Sequence, residues 1–197
     1  GGYCPIILND GRIAYVKDEI AINIINLNEV GYFEEIPIVS QNLPENDDCS
    51  EINLSLNGIQ LRNGNILLIN WNLTITEYDL NLKQCIQVIQ TKINFMDTCY
   101  ELKDGRIGIT ATDNANIYII NRLSNRADNQ LILSGHNKTV VKILQLENEQ
   151  IISASSDGKV KIWYKLNDGN FNCAMTLFLF DDFIRAFIFM NDGRILI

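Results

Sequence analysis

The sequence contains a single histidine, only three prolines and no pair of cysteines spaced as CxxC. It also lacks any apolar run near the roughly 18 residues that a membrane-spanning helix needs, so no membrane contact is predicted. Lys and Arg total 16 against 24 Asp and Glu, and the net charge of −8 argues against nucleic-acid partners, which require a basic surface. The five cysteines have no metal-ligand spacing. We expect free thiols in a reducing, intracellular compartment, the cytoplasm or the nucleus.

The first residues, Gly1-Gly2-Tyr3-Cys4-Pro5, include neither an initiator methionine nor a signal-peptide pattern. The last apolar segment runs up to Ile197 in what reads as a strand. We therefore expect this sequence to be part of a longer protein, and the piece alone to expose an apolar sheet face.

A turn followed by an apolar segment recurs along the chain. Counted between the isoleucines that follow the turns, the steps are 53, 41, 44 and 44 residues. The turns are Asn9-Asp10-Gly11, Arg62-Asn63-Gly64, Lys103-Asp104-Gly105, Glu147-Asn148-Glu149 and Asn191-Asp192-Gly193. Asp-Gly and Asn-Gly favour two-residue hairpin turns because they tolerate positive φ. The long first step contains one polar insertion, residues 40–48.

The segments between the turns alternate and are rich in β-branched and aromatic residues, as at 73–78 and 159–163, and none shows sustained helical periodicity. Four short strands in about 43 residues, repeated, are typical of the blades of a β-propeller. The predicted fold class is all-β.

One repeat has a more specific signature. Gly135-His136 is followed by an apolar segment and then by 151–163, Ile-Ile-Ser-Ala-Ser-Ser-Asp-Gly-Lys-Val-Lys-Ile-Trp. This pattern resembles a WD40 repeat, although Tyr164 stands where the family usually has Asp. The resemblance implies a partial WD40-like propeller of about four four-stranded blades, at about 3–38, 50–90, 93–133 and 138–180, with a fifth beginning near 183.

The resemblance also implies a hydrogen-bonded tetrad within the fourth blade, formed by His136, Ser153, Asp157 and Trp163. The side-chain chemistry is consistent with this, because Asp can accept from the imidazole, which can bond Ser, which can accept the indole N–H. The third repeat departs from the pattern, with Thr110 in place of Ser, Asn114 in place of Asp and Ile120 in place of Trp. We expect the other blades to be held by apolar packing and to be less rigid.

His136 is the only histidine, and no set of partners for catalysis or metal binding accompanies it. We therefore assign it a structural role and predict no catalytic residue, no metal and no cofactor. Ser155 and Asp157-Gly158 partly resemble the Asp-box of sialidase propellers, but the glycine comes one residue too early and Trp163 too late. A hydrolytic propeller enzyme is the alternative that we disfavour.

Strand order divides the turns between two faces of a propeller. The connections between blades and those between the second and third strands of each blade share one face, which we call the upper face. Acidic residues outnumber basic ones there, and six of the seven arginines fall on the opposite, lower face. The candidate partner-binding residues of the upper face are Trp71, Asp18, Glu19, Asp47, Asp48, Lys138 and Ser156.

Two interpretations of the upper face remain open. An acidic surface would attract a basic peptide segment, but solvated turns are commonly charged without any such role. Trp71 either anchors a partner, as interface tryptophans do, or packs inward between blades. The predicted function is a non-catalytic scaffold that binds other proteins, with substrate recognition for a ubiquitin ligase as the alternative within that class.

Overall fold

The computed structural model describes residues 5–17, 21–27, 33–37, 54–70, 73–124, 130–178, 184, 188–189 and 195–196. The chain forms two compact units, residues 1–93 with 123–127, and residues 94–122 with 128–197. Each unit contains two antiparallel four-stranded sheets, and a two-stranded hairpin belongs to the second. All regular structure in the described residues is strand.

The first unit holds the first two sheets. The first sheet has the strands β1 (Ile6–Ile7), β2 (Ile13–Lys17), β3 (Ala21–Ile25) and β4 (Phe33–Pro37). The second has β5 (Leu54–Gln60), β6 (Ile66–Asn70), β7 (Thr74–Asp79) and β8 (Gln84–Gln90). Within each sheet the strands lie in chain order, so every strand pairs with the one before it.

The second unit holds the remaining strands. The third sheet has β9 (Met96–Glu101), β10 (Ile107–Ala111), β11 (Ile117–Ile120) and β12 (Leu131–Leu133). The fourth has β13 (Val140–Gln145), β14 (Ile151–Ser155), β15 (Lys159–Lys165) and β16 (Phe171–Phe178). A hairpin of β17 (Ile188–Phe189) and β18 (Ile195–Leu196) follows.

The same turn joins the first two strands of each sheet. In the first sheet, the Leu8 N–H donates to the Arg12 carbonyl at 2.8 Å and the Gly11 N–H donates to the Leu8 carbonyl at 2.9 Å. Gly11 has a φ of +86°. The predicted two-residue turn is therefore wrong: three residues lie inside the closing bond, the hairpin type in which the last loop residue is left-handed. In the fourth sheet Glu149 occupies that position with a φ of +65°.

Apolar side chains pack the two sheets of each unit face to face. In the first unit, Ile22 and Ile36 of the first sheet share a buried cluster with Ile66 and Tyr78 of the second. In the second unit, one buried cluster joins apolar side chains of the third and fourth sheets: Leu102, Ile117, Ile119, Leu133, Val140, Ile143, Ile151 and Trp163. The strands of each sheet are thus covered by its neighbour, as burial of apolar area requires.

Candidate functional site

A hydrogen-bonded chain of four side chains runs through the fourth sheet. His136 precedes β13, Ser153 lies in β14, Asp157 lies in the turn after β14, and Trp163 lies in β15. The His136 Nδ1 atom is 3.2 Å from both carboxylate oxygens of Asp157, and its Nε2 atom is 2.8 Å from the Ser153 Oγ atom. The Trp163 indole N–H donates to the same Oγ atom at 2.8 Å. The structure therefore brings together all four residues of the predicted tetrad.

A neutral imidazole with its proton on Nδ1 satisfies every hydrogen bond of the chain. Ser153 then accepts from Trp163 and donates to the unprotonated Nε2 atom, and the Nδ1–H donates to Asp157. Desolvation by burial lowers the pKa of His136, although the Asp157 carboxylate acts in the opposite direction. Burial acts to raise the pKa of Asp157, but hydrogen bonds from the Asn137 N–H and from His136 hold it below its usual value. At neutral pH, therefore, His136 is a neutral donor and Asp157 is an ionised acceptor.

The Asp157 carboxylate is also fully engaged by the backbone. It accepts from the Asn137 N–H at 2.8 Å and from the Lys159 N–H at 3.1 Å. The Ser155 hydroxyl donates to the Lys138 carbonyl at 2.8 Å and accepts from the Asp157 N–H at 3.1 Å. These contacts fix the connection before β13 against the turn after β14, which makes this part of the upper face a rigid platform.

The predicted partner-binding residues are only partly visible. Lys138 is exposed and Ser156 is half-buried, and the Ser156 N–H donates to the Thr139 carbonyl at 2.9 Å. The other five candidates lie outside the described residues: Trp71, Asp18, Glu19, Asp47 and Asp48.

An aromatic residue that the sequence did not single out lies beside this platform. Phe95, just before β9, is 59% exposed and has a φ of +47°. Its carbonyl accepts from the Thr112 N–H at 2.9 Å, and the Thr139 hydroxyl donates to the Thr112 carbonyl at 3.3 Å. A left-handed conformation is unfavourable for a bulky side chain and clusters at functional positions. The sequence shows only an aromatic residue in the connection between two sheets, flanked by Ile93 and Met96, and this does not predict its exposure or its backbone conformation.

On the lower face of the second unit, basic residues are neutralised by carboxylates. The Lys165 ammonium bridges Asp104 at 3.0 Å and Glu149 at 3.3 Å. Arg106 pairs with Asp104 at 2.9 Å and donates to the Gly169 carbonyl at 3.1 Å. Burial acts to raise the pKa of Asp104, but the hydrogen bonds from Arg106 and Lys165 lower it to about 2. This network ties the third sheet to the fourth and leaves these cations paired.

The described residues contain neither a candidate metal site nor a candidate membrane span. No group of three or more His, Cys, Asp or Glu side chains is placed to hold a metal ion within those ranges. No helix there is long and apolar enough to cross a bilayer.

Acidification is expected to destabilise the protein in a way that depends on the only histidine. Because the folded-state pKa of His136 is lowered, the unfolded chain binds a proton first as the pH falls below about 6.5, and stability is lost from that pH downward. Asp157, whose folded pKa is also lowered, adds a second loss as the pH falls through its folded value. Urea unfolding at about pH 8 and about pH 5.5 measures the first step.

His136→Gln is the control, because it removes the titrating group. The variant should be less stable than the parent at the higher pH and should show a smaller drop between the two. An equal drop in both proteins would contradict the assignment of a buried, neutral His136.

The chain resembles known proteins in its fold and not in its sequence. No family model matches the chain, and no curated protein matches it. Among solved structures, a protein of unknown function from Bacteroides caccae is similar over 98% of this chain and 68% of its own length, with a TM-score of 0.65 and 13% identity. A chain of the mitotic checkpoint complex is similar over 96% of this chain and 53% of its own length, with a TM-score of 0.64 and 13% identity.

The fold is a partial β-propeller. The prediction of an all-β chain of four four-stranded blades is confirmed, because each of the four four-stranded sheets corresponds to one blade. At 13% identity these likenesses show the fold alone. The propeller spans about half the length of the checkpoint-complex chain that it matches.

Proposed function

We propose that this propeller is a non-catalytic, WD40-type interaction module that holds other proteins on its upper face. Phe95 is the observation that carries the proposal. An aromatic side chain that is 59% exposed is held in an unfavourable backbone conformation at the edge of a rigid platform. Strain of this kind costs on the order of 1–3 kcal/mol and persists only where the surroundings enforce it.

The tetrad supports the same proposal through rigidity. The tetrad fixes the connection before β13, which contains Thr139. The Thr139 hydroxyl donates to the Thr112 carbonyl, and the Thr112 N–H donates to the Phe95 carbonyl. A preorganised surface loses less conformational entropy on binding than a flexible one. Aromatic residues on such surfaces are common anchors of protein interfaces. The structural similarity to one chain of a multi-protein complex is consistent with protein partners.

The nature of the partner follows from charge. The chain has a net charge of −8, which favours the encounter with basic segments. We therefore propose a basic peptide segment as the partner. The thiols of Cys99 and Cys173, which form no disulfide, fit the intracellular location that we propose for it.

Selection from a displayed random-peptide library tests this function. Peptides retained by the full chain should be enriched in Lys and Arg. Phe95→Ala should weaken their binding by about 30-fold, the effect of an interface anchor worth about 2 kcal/mol, without lowering the melting temperature. Binding can be measured by fluorescence anisotropy of the selected peptides.

Leu166→Ala is the matched control, since Leu166 is an exposed apolar residue in the turn between β15 and β16, on the lower face. It should leave binding unchanged. Selection of acidic peptides would contradict the partner that we propose. Equal binding by the Phe95 and Leu166 variants would contradict the proposed surface.

A further inference from the structure

A lysine amine and a cysteine thiol lie close together on the last two strands of the fourth sheet, β15 and β16. The Lys161 Nζ atom of β15 lies 4.0 Å from the Cys173 Sγ atom of β16. Thr176 holds both groups in place: its Oγ atom accepts from the Lys161 ammonium at 2.8 Å and lies 3.7 Å from the sulfur. No other side chains in the described fourth sheet place an amine this close to a thiol.

The burial of the lysine is unusual for its residue type. Lys161 is only 9% exposed, and no carboxylate of the described residues lies within ion-pair distance of its Nζ atom. Lysines are almost never buried without a paired charge. Burying an ammonium group without such a pair has a large desolvation cost.

The backbone at Gly135 also lies close to the amine. A Cβ atom added at Gly135 would lie 3.5 Å from the Lys161 Cε atom and 3.6 Å from its Nζ atom. The same added atom would lie 3.7 Å from the Trp163 ring. The amine therefore lies close both to the connection that leads to His136 and to the Cys173–Thr176 pair.

Cys173 is partly exposed, which gives a small oxidant access to this residue. Cys173 is half-buried and lies on β16, which is at the edge of its sheet. The Cys99 thiol differs, because desolvation by burial raises its pKa to about 12 and so suppresses the reactive thiolate.

We propose that Lys161 and Cys173 form a reversible covalent sulfur–nitrogen link when the protein meets a peroxide. In the first step Cys173 attacks hydrogen peroxide, the O–O bond breaks, and the thiol is oxidised to a sulfenic acid with release of water. In the second step the Lys161 amine, after its ammonium has given one proton to solvent, attacks the sulfur. The S–O bond breaks, the S–N bond forms, and hydroxide leaves with the second amine proton as water.

The link would be a redox-dependent covalent cross-link within the fourth sheet. It would join β15 to β16 beside the tetrad and convert a buried cation into a neutral group. A thiol reductant restores the amine and the thiol, since condensed forms of a sulfenic acid remain reducible whereas sulfinic and sulfonic acids do not.

Mass spectrometry of the full chain after treatment with hydrogen peroxide tests the proposal. Trypsin cuts after a free lysine, so the link should abolish cleavage after Lys161. It should join the peptides that contain Lys161 and Cys173 with the loss of two hydrogens, and dithiothreitol should reverse both changes. Cys173→Ser should retain normal cleavage under the same treatment.

Two variants, Lys161→Arg and Lys161→Met, test whether the amine attacks the oxidised sulfur. Without the amine, Cys173 can be oxidised but cannot form the sulfur–nitrogen link. Both variants should accumulate a sulfenic acid on Cys173 that reacts with dimedone, whereas the parent should not. Using two variants protects the test against one that fails to fold, and Cys99 provides an unreactive internal reference. Equal dimedone labelling of Cys173 in the parent and both variants, or irreversible oxidation of Cys173 in the parent, would overturn the proposal.

Discussion

Replacing Trp163 with alanine is expected to lower the free energy of unfolding by about 4 kcal/mol. Trp163 is 3% exposed and packs in the apolar cluster between the third and fourth sheets. Its removal leaves a large cavity and also strips Ser153 of the indole donor. Equilibrium unfolding in urea, followed by circular dichroism, measures the loss.

Trp163→Phe separates packing from hydrogen bonding, because it retains a ring and removes the N–H group. We expect it to cost about 1–2 kcal/mol. A double-mutant cycle with Ser153→Ala isolates the bond between the two side chains. Should Trp163→Ala cost less than about 1 kcal/mol, the tetrad would not be a structural element of this sheet.

The Gly58→Ala substitution is expected to destabilise the first unit by about 3 kcal/mol, the upper end of the usual range for overpacking. An added Cβ atom would lie 2.6 Å from the Leu67 carbonyl oxygen, 2.7 Å from the Leu68 Cδ2 atom and 2.9 Å from the Ile6 Cδ1 atom. A side chain can change rotamer, but the Leu67 carbonyl belongs to β6 and cannot move without disturbing the sheet. The melting temperature should fall accordingly.

Gly64→Ala is the comparison for this effect. Its added methyl group would meet nothing within 4 Å, so only the left-handed φ of +91° opposes it, at about 1–2 kcal/mol. Equal losses from the two substitutions would show that the close approach of β5 and β6 has relaxed, contrary to the structure.

Much of this fold could be predicted from the sequence because its information is local. Alternation of apolar and polar residues predicts strands, and the recurring Asp-Gly and Asn-Gly turns predict where they reverse. The tetrad could be predicted from the resemblance to a WD40 repeat, since positions 136, 153, 157 and 163 match the motif of that repeat.

The alignment of the third repeat with the fourth, residue by residue, was harder to predict. Matching Thr110 to Ser153 is wrong by one residue. Ile120 pairs with Ile107 as Trp163 pairs with Ile151, so the third-sheet counterpart of Ser153 is Ile109. Thr110 lies on the opposite side of β10, where its hydroxyl is 2.9 Å from that of Thr98. A shift of one residue reverses the face of a strand, and turns that differ in length by one residue hide such shifts.

The match of Asn114 to Asp157 has a structural counterpart. The Asn114 side chain accepts from the Asn116 N–H at 2.9 Å, as Asp157 accepts from the Lys159 N–H at 3.1 Å. Each side chain stabilises the turn that follows it, so the turn contact persists in a sheet that lacks the histidine.

Phe95 and Lys161 could not be predicted, for a different reason. The left-handed φ of Phe95 is imposed by the bonds that its carbonyl makes to Thr112, 17 residues away in sequence. The proximity of Lys161 to Cys173 depends on the pairing of β15 with β16, which includes a register shift after Ile162. Neither feature follows from periodicity.

The described strands of each four-stranded sheet pair only with one another, so such a chain can evolve by gaining or losing whole repeats. Within the described strands, each sheet completes its own backbone ladder and meets its neighbour through apolar side chains. A repeat can therefore be duplicated or deleted as a unit without leaving unpaired backbone groups in the adjoining repeats. Selection can then retain the polar chain of His136 in one copy while the other copies diverge, provided that their facing surfaces stay apolar.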